Sequence, residues 1–192
     1  MNQPDSRTRI LQQATQLFIE QGYHRLSMRE LAEAAGISKA GIYHHFKDKE
    51  SLFLAVLVFH LDELEHVVER AAAADGSVRT RVEQMVRAFL ARSAEQRAII
   101  RVARQEMAQL SEQGQQALRQ AYHQKFIGKI TALLAEGIAQ GEFRAMDAQV
   151  LTWALLGLLN PYLYPAHDKN KTIDADTVSQ VLQIFFFGVV AR

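Results

Sequence analysis

The sequence predicts an all-α protein, and three observations support this fold class. Its 192 residues include ten Gly and only three Pro, which leaves little material for the many turns of a β-rich fold. Apolar residues recur at steps of three and four along most of the chain, which is the spacing of one helix face. No segment alternates apolar and polar residues as a half-buried strand does. With 48% hydrophobic and 22% charged residues, the composition is that of a globular protein of one or two compact units.

Helix start and stop signals are clearest in the first fifty residues. A helical repeat of apolar residues covers 6–21 and is followed by Gly22, which is suited to the left-handed conformation that ends helices. Ser27 and Glu30 have the spacing of a capping box, so a second helix of about two turns starts there and stops at Gly36. The sequence thus predicts two helices and two glycine stops in this stretch.

Two further helices follow. Ser38 can cap a third, short helix, with Ile37 and Ile42 placed as a hydrophobic staple across its start. Asp48 can cap a fourth helix over about 49–73, whose apolar residues keep helical spacing. This long helix links the first fifty residues to the remainder of the chain.

After the turn at 75–77 the predicted helices become longer and more apolar. They cover 78–92, 95–110, 113–140, 147–163 and 174–191. Gly114, Gly141 and the segment 165–171 punctuate them. The change of helix character makes 75–77 the best candidate boundary along the chain, although the fourth helix is expected to bridge both halves.

Composition and charge exclude several classes of protein. The chain has no Cys, which excludes disulfides, thiol nucleophiles and thiolate metal sites, and agrees with the cytoplasmic location that we expect. The first six residues are polar, so no secretory signal is expected, and the longest apolar run, 150–159, is shorter than the ~20 residues of a membrane span. Lys and Arg number 22 against 21 Asp and Glu, a net charge of +1. Any nucleic-acid surface must therefore be local.

The segment 27–46 predicts a helix, a tight glycine turn and a second helix, which is the geometry that presents the second helix to the DNA major groove. Lys39 opens that helix and is followed by two very small residues, so the backbone can approach base edges while Lys39 reaches a guanine or a phosphate. Lys47 and Lys49 come next, where the start of the fourth helix offers free amides and a positive dipole end. The position of these charges, rather than their sum, predicts DNA binding.

The segment 28–52 resembles the DNA-binding signature of TetR-type transcriptional regulators. It reads MRELAEAAGISKAGIYHHFKDKESL, and its Gly-Ile-Ser, Tyr-x-His-Phe and Lys-Glu-x-Leu blocks stand at the family's spacing. The resemblance implies that three N-terminal helices bind DNA and that the rest of the chain forms a dimer and a ligand cavity. It also implies repression that a small molecule relieves. The expected domains are 1–50, which binds DNA, and 51–192, which binds the effector and dimerises.

The resemblance also implies a role for particular residues. The base-facing set is Ser38, Lys39, Ala40, Gly41 and His44. The phosphate-contacting set is Ser27, Tyr43, Lys47 and Lys49, with Arg7 and Arg29 as further candidates. For Tyr43 there is an alternative to the phosphate contact, in which the ring packs against the protein and only the hydroxyl is exposed to solvent. The family often has Thr where Ser27 stands, so the hydroxyl is retained.

The last two predicted helices favour a homodimer. Residues 150–163 and 178–190 are apolar around most of the helix circumference, and a helix that is apolar on every side needs cover on every side. A second copy supplies that cover most simply, in a two-fold four-helix interface. Two recognition helices about 34–36 Å apart would then meet successive major grooves of a pseudo-palindromic operator. Burial wholly within one monomer is the alternative.

A ligand cavity is expected among the fifth to eighth predicted helices. The candidates are Phe89, Met107, Tyr122, His123, Phe126, Trp153 and Asn160. They would form an apolar wall with few polar groups, the usual composition of a small-molecule site, and each can also be an ordinary core residue. His123 and Asn160 are the polar candidates. The group of His60, Glu63 and His66 and the pair of His44 and His45 are interpreted as structural residues rather than as metal sites, so no metal or cofactor is expected.

These features together predict a cytoplasmic, homodimeric DNA-binding transcriptional regulator, a repressor whose operator binding responds to a small-molecule effector. No enzymatic activity is expected, because the chain lacks a recognisable nucleophile constellation and a Gly-rich phosphate loop. Two alternatives remain. One is an enzyme or small-molecule carrier that uses the helical cavity, and the other is a helical adaptor that binds only protein.

Overall fold

The computed structural model describes residues 6–163 and 174–189, and within those ranges it contains α-helices and no β-strand. The helices are α1 Ser6–Arg25, α2 Met28–Ala34, α3 Lys39–His45, α4 Lys49–Ala72, α5 Val78–Leu90, α6 Ala94–Glu106, α7 Glu112–Tyr122, α8 Gly128–Ala139, α9 Ala148–Leu163 and α10 Ala175–Val189. The all-α prediction is confirmed. The predicted punctuation at 165–171 and the last two residues of the final predicted helix, 190–191, lie outside the described ranges.

The predicted N-terminal caps are present. The capping box is reciprocal, since Glu30 N donates to Ser27 Oγ at 3.3 Å and Ser27 N donates to Glu30 Oε2 at 2.8 Å. Gly41 N donates to Ser38 Oγ at 3.0 Å at the start of α3. These bonds satisfy amides that have no partner inside the helix, so each side chain fixes where its helix begins.

The first helix departs from its predicted end. Gly22 has the positive φ that was expected, 78°, with ψ of 171°. The chain kinks there instead of stopping, and α1 continues to Arg25. Positive φ is readily adopted only by glycine, so the residue type still marks the place where the helix axis changes.

The longest predicted helix, 113–140, is interrupted by a π-helical turn. The segment His123–Ile127 joins α7 to α8, and Gly128 N donates to His123 O across that turn. A Cβ on Gly128 would lie 3.1 Å from His123 O, so glycine allows the carbonyl to approach closely. Such π turns insert one extra residue into a helix and are frequent at functional sites.

The described chain packs as two compact units. The first unit consists of Met1–Leu61 with Glu95–Ala121, and the second of Asp62–Ala94 with Tyr122–Arg192. Rings of Phe18 and Phe53, 4.8 Å apart and edge to face, lie in the core of the first unit. Helix α4 therefore belongs to both units, because the division after residue 61 falls inside it. Helix α7 lies in the first unit except for its last residue, Tyr122. The predicted functional division at residue 50 remains a prediction.

A ladder of ion pairs joins α4 to the π turn and α8 inside the second unit. Lys125 Nζ lies 2.8 Å from a carboxylate oxygen of both Asp62 and Glu65. Lys129 Nζ lies 2.9 Å from Glu65 and also contacts Glu69. The hydrogen bonds from the two lysines hold the pKa of Glu65 below its usual range. The π turn is thus positioned by charge as well as by its backbone.

Candidate nucleic-acid interface

The turn between α2 and α3 is fixed by the backbone. Gly36 has φ of 66°, and its N–H donates to Glu33 O at 3.1 Å. The N–H of Ile37 donates to Ala32 O at 3.0 Å, so the two bonds close a Schellman motif. This tight end of α2 allows α3 to begin at Lys39.

Helix α3 has one buried side and one exposed side. Ile42 is fully buried and Phe46, the residue that ends the helix, is buried as well. The five predicted base-facing residues are all half-buried or exposed, and they stand at the cap and first two turns of α3: Ser38, Lys39, Ala40, Gly41 and His44. A Cβ on Gly41 would lie 3.3 Å from Ser38 Oγ, so a larger residue would crowd the cap. The exposed start of α3 therefore combines a cation with very small side chains.

The predicted phosphate-contacting residues near α3 are also accessible. Tyr43 is 46% exposed, so its ring is not enclosed as the packed alternative would require. Lys47 is exposed just beyond α3. The Arg7 guanidinium lies over the Phe46 ring, 5.5 Å from its centroid. All three side chains are therefore close to α3: Tyr43 belongs to it, Lys47 follows it by two residues, and Arg7 packs on the residue that ends it.

Ser27 and Arg29 are exposed and already have partners. Ser27 Oγ donates to Glu30 Oε2 at 2.7 Å, within the capping box. Arg29 Nε donates to Glu33 Oε1 at 2.8 Å, four residues along α2. Both ion-pair partners lie in solvent, where such pairs contribute little, so Arg29 can exchange Glu33 for a phosphate at small cost.

Lys49 does not fit its expected role as a phosphate contact. Its ammonium donates to the carbonyl oxygens of Tyr23 and Leu26, both at 2.9 Å, and to that of His24 at 3.5 Å. An ammonium has three N–H donors, so these bonds use all of them. Lys49 Nζ also lies over the Tyr23 ring, 4.5 Å from the centroid. The expectation is corrected: Lys49 fastens the start of α4 to the junction of α1 and α2.

We expect Lys49→Met to lower the free energy of unfolding by about 1.5–3 kcal/mol, because the carbonyls at the end of α1 lose a charged hydrogen-bond donor. Lys47→Met should leave the free energy of unfolding unchanged and weaken DNA binding instead. Urea unfolding followed by circular dichroism measures the first effect. Equal stability of the two variants would contradict the structural role of Lys49.

A residue that the sequence did not single out, Glu106, contacts the same junction. Glu106 Oε1 accepts a bond from Tyr23 N at 3.4 Å, and its Oε2 lies 3.9 Å from His24 Nε2. Burial, together with the nearby carboxylates of Glu50, Asp48 and Glu106, raises the pKa of Tyr23. The contact joins residues 83 positions apart, so no local pattern could have indicated it.

The predicted ligand residues divide into two groups. Phe89 and Phe126 are buried in the second unit with ring centroids 5.3 Å apart, and Tyr122 lies 5.5 Å from Phe126. These three form what we call the aromatic cluster. Met107 is half-buried in a 3-10 turn of the first unit. Only the aromatic cluster is brought together, and its contact with a ligand remains a prediction.

The other candidates do not line an enclosed space. Trp153 is 51% exposed, and Asn160 and His123 are exposed as well. Trp153 and Asn160 are seven residues apart on one face of α9, while the buried face of that helix carries Leu151, Leu155 and Leu159. The expected convergence of these residues is corrected, because the helix turns its leucines inward.

The last two helices, which pack against each other in the second unit, each expose large apolar side chains. Val150 and Trp153 of α9 are 55% and 51% exposed, and Ile184 and Phe187 of α10 are 63% and 82% exposed. We call these four residues the apolar face. Within each helix the two exposed residues are three positions apart and so share one side of the helix, an arrangement suited to an interaction surface.

One histidine of the first unit has a partner inside the protein. His60 is buried, with Nε2 3.0 Å from Thr15 Oγ1. Among the described residues, no three His, Asp or Glu side chains are grouped as metal ligands would be. No helix in the described ranges has the length and apolar character to span a membrane.

Comparisons with known proteins agree with this geometry. Residues 10–56 match the family of bacterial regulatory proteins, tetR family, and residues 75–163 match the tetracyclin repressor-like C-terminal domain. The transcriptional activator FasR of Mycolicibacterium smegmatis is 39% identical over 85 residues, a match that spans 44% of this chain and only 39% of FasR.

Solved structures match over nearly the whole length. A TetR/AcrR family transcriptional regulator of Thermobifida fusca YX-ER1 is 30% identical with a TM-score of 0.70, covering 95% of this chain and 97% of that one. AibR, solved in complex with isovaleryl coenzyme A and operator DNA, shares the fold with a TM-score of 0.74 at 23% identity, covering 95% of this chain and 98% of AibR.

Proposed function

The chain belongs to the TetR family of bacterial transcriptional regulators, and from this premise we infer that it represses transcription by binding an operator through α3, under the control of a small-molecule effector. The observation that carries the proposal is the exposed start of α3, where Lys39 and small neighbours stand over the buried Ile42. Such a helix packs on the protein through one side and presents a cation and an accessible backbone on the other. It is therefore suited to entering the major groove of DNA.

The contacts of this interface divide by what they can recognise. We assign base contacts to Ser38, Lys39, Ala40, Gly41 and His44. We assign phosphate contacts to Ser27, Arg29, Tyr43 and Lys47, with Arg7 beside them. Phosphate contacts fix the position of the protein on the duplex, and base contacts select the sequence. Lys49 is left out because its donors are used within the protein.

The apolar face of α9 and α10 supports a homodimer with a four-helix interface. Its four large side chains would be covered by the same face of a second copy, as two-fold symmetry requires. The dimer would place two copies of α3 about 34–36 Å apart, the spacing of successive major grooves in a pseudo-palindromic operator. A heterologous protein partner on this face is the alternative, and a monomer that ignores DNA would favour it.

The aromatic cluster supports an effector site in the second unit. Three rings at centroid distances of 5.3 and 5.5 Å offer an apolar wall for a small molecule. The fold accommodates both kinds of ligand, since AibR is solved with a coenzyme A thioester and DNA together. The effector shifts the equilibrium between a dimer state that binds the operator and one that does not. The size of the shift is set by the difference between its affinities for the two states.

The functional division that follows is a DNA-binding domain of residues 1–50 and an effector-binding and dimerisation domain of residues 51–192. A regulator of this kind acts where the chromosome is, in the cytoplasm. No enzymatic step and no cofactor is needed for it.

Selection of bound fragments from the source genome tests the proposal. The purified chain should enrich a small set of fragments that share a pseudo-palindrome. Its affinity for them should fall as the salt concentration rises: the plot of log affinity against log salt concentration should have a slope of about −0.9 for each neutralised phosphate. Enrichment no greater than that of random genomic DNA would overturn the proposed function.

A further inference from the structure

The first turn of α4 is bonded to the start of α7. Ser111 N donates to Glu50 Oε2 at 3.1 Å, and Ser111 Oγ donates to Glu50 Oε1 at 2.5 Å. Ser111 Oγ also accepts a bond from Gly114 N at 3.1 Å, so Ser111 is the cap of α7. The carboxylate of Glu50 thus lies at the positive end of the α7 dipole, where a negative charge is favoured.

Gly114 makes this close approach possible. A Cβ at that position would lie 2.5 Å from Glu50 Oε1 and 3.3 Å from Ser111 Oγ. Glycine disfavours a helix relative to alanine, so its presence inside α7 calls for a steric reason, and Glu50 supplies one. Helix α7 can therefore hold Glu50 in this position only without a side chain at residue 114.

The residue before Glu50 fastens the operator-binding helices. Lys49 donates to the carbonyl oxygens of Tyr23, in the last turn of α1, and of Leu26, between α1 and α2. Glu106, at the end of α6, accepts a hydrogen bond from the backbone amide of the same Tyr23. The corner between α6 and α7 is consequently bonded to both α1 and α4 inside the first unit.

The path of the chain gives this bond its significance. The chain passes between the two units three times: inside α4 after residue 61, at the start of α6 after residue 94, and at the end of α7 after residue 121. The first and the third of these passages lie within α4 and α7, and the third leads directly into the π turn His123–Ile127. Glu50 and Ser111 tie together the N-terminal ends of α4 and α7, inside the first unit. A displacement of one helix along the other is therefore opposed at the Glu50–Ser111 bond.

We propose that Glu50, Ser111 and Gly114 form a latch that couples the second unit to operator binding. The hydrogen bonds between Ser111 and Glu50 are formed when α1–α3 have the arrangement that binds the operator. An effector that displaces α7 breaks these bonds. This inference rests on the proposed function, because it concerns how the state of the second unit reaches α3. Coupling is reciprocal, so operator binding must also change the second unit through the same contact.

Gly114→Ala opens the latch without disrupting the helix. The added methyl group meets the end of a flexible carboxylate, which can swing away, and alanine favours α7. We expect operator affinity to fall about tenfold, within the usual range of a coupling free energy. Glu50→Ala should produce a similar loss, and Gly114→Ala should cause no further loss in the Glu50→Ala background.

The matched controls are Gln116→Ala and Glu112→Ala, both on the exposed side of the start of α7. The first adds helix propensity and the second removes a carboxylate, and neither should change operator affinity by more than about twofold. Fluorescence anisotropy with the duplex selected above measures all of these affinities.

Hydrogen exchange separates a latch from a purely structural contact. In the wild-type protein, addition of the selected duplex should change the exchange rates of amides at 123–127, and this change should be lost in Gly114→Ala at DNA concentrations that saturate the variant. If the wild type binds no duplex selectively, the proposed function itself fails. If the wild type binds but Gly114→Ala matches it in affinity and in the exchange response, only the latch is overturned.

Discussion

Phe187→Glu is expected to convert the protein into a monomer that binds its operator at least about a hundredfold more weakly than the wild type. Phe187 is 82% exposed at the end of α10 and belongs to the apolar face. Burying a phenylalanine is worth about 1.5–3 kcal/mol, and two-fold symmetry doubles the contribution. A glutamate in the same place would have to be desolvated without a partner, which opposes association strongly.

The loss of affinity follows from the geometry of the operator. Two linked recognition helices profit from a high effective concentration once the first is bound, and a monomer loses that advantage entirely. Sedimentation velocity measures the association state, and anisotropy measures the affinity for the selected duplex. Ala139→Glu, which places the same charge on an exposed site of α8, is the control and should leave both unchanged. A dimeric Phe187→Glu with wild-type affinity would contradict the proposed interface.

Lys39→Ala and Lys47→Ala are expected to weaken operator binding in different ways. Lys39 opens α3 beside small residues, so its loss should relax the preference at one operator position by about 1–3 kcal/mol. Lys47 is exposed beyond α3, so its loss should weaken binding to all sequences by similar factors and reduce the salt slope by about 0.9.

Titration of the two variants against a set of single-base operator changes, at several salt concentrations, distinguishes these roles. Wild-type sequence preference in Lys39→Ala would remove Lys39 from the base contacts. A wild-type salt slope in Lys47→Ala would remove Lys47 from the phosphate contacts. Neither variant should change thermal stability, since the structure gives both side chains solvent exposure.

Local hydrogen bonding explains which parts of the fold were predictable. The caps at Ser27, Ser38 and Asp48 each involve a partner three residues away, so the sequence pattern contains the whole interaction. The α2–α3 turn depends on one positive φ, and Gly36 marks it. These short-range features were enough to predict the helix-turn-helix.

Contacts between distant residues were beyond such patterns. Lys49 has the position expected of a phosphate contact, and its actual partners are carbonyls 23 to 26 residues earlier. The bond from Ser111 to Glu50 spans 61 residues. The π turn also gave no signal, because apolar residues continue with near-helical spacing across it.

The predicted ligand set shows a related limit. Phe89 belongs to the single apolar face of α5, and that face is buried with Phe89 against the ring of Phe126 in the π turn. Helix α9 is apolar on all sides, so the sequence does not determine which face it buries. Trp153 and Asn160 fall on the face opposite to the buried leucines, and their exposure now supports the dimer proposal rather than the cavity.

The placement of α3 in the major groove is the central claim, and site-directed DNA cleavage tests it most directly. The chain has no Cys, so His45→Cys, at the exposed end of α3, carries a single cleavage reagent and the unmodified protein is a natural control. The proposed dimer should cut the selected duplex at two places in the major groove, about 34–36 Å apart and related by the pseudo-palindrome. Cleavage scattered along the duplex, or no cleavage under conditions where the labelled protein is bound, would contradict it.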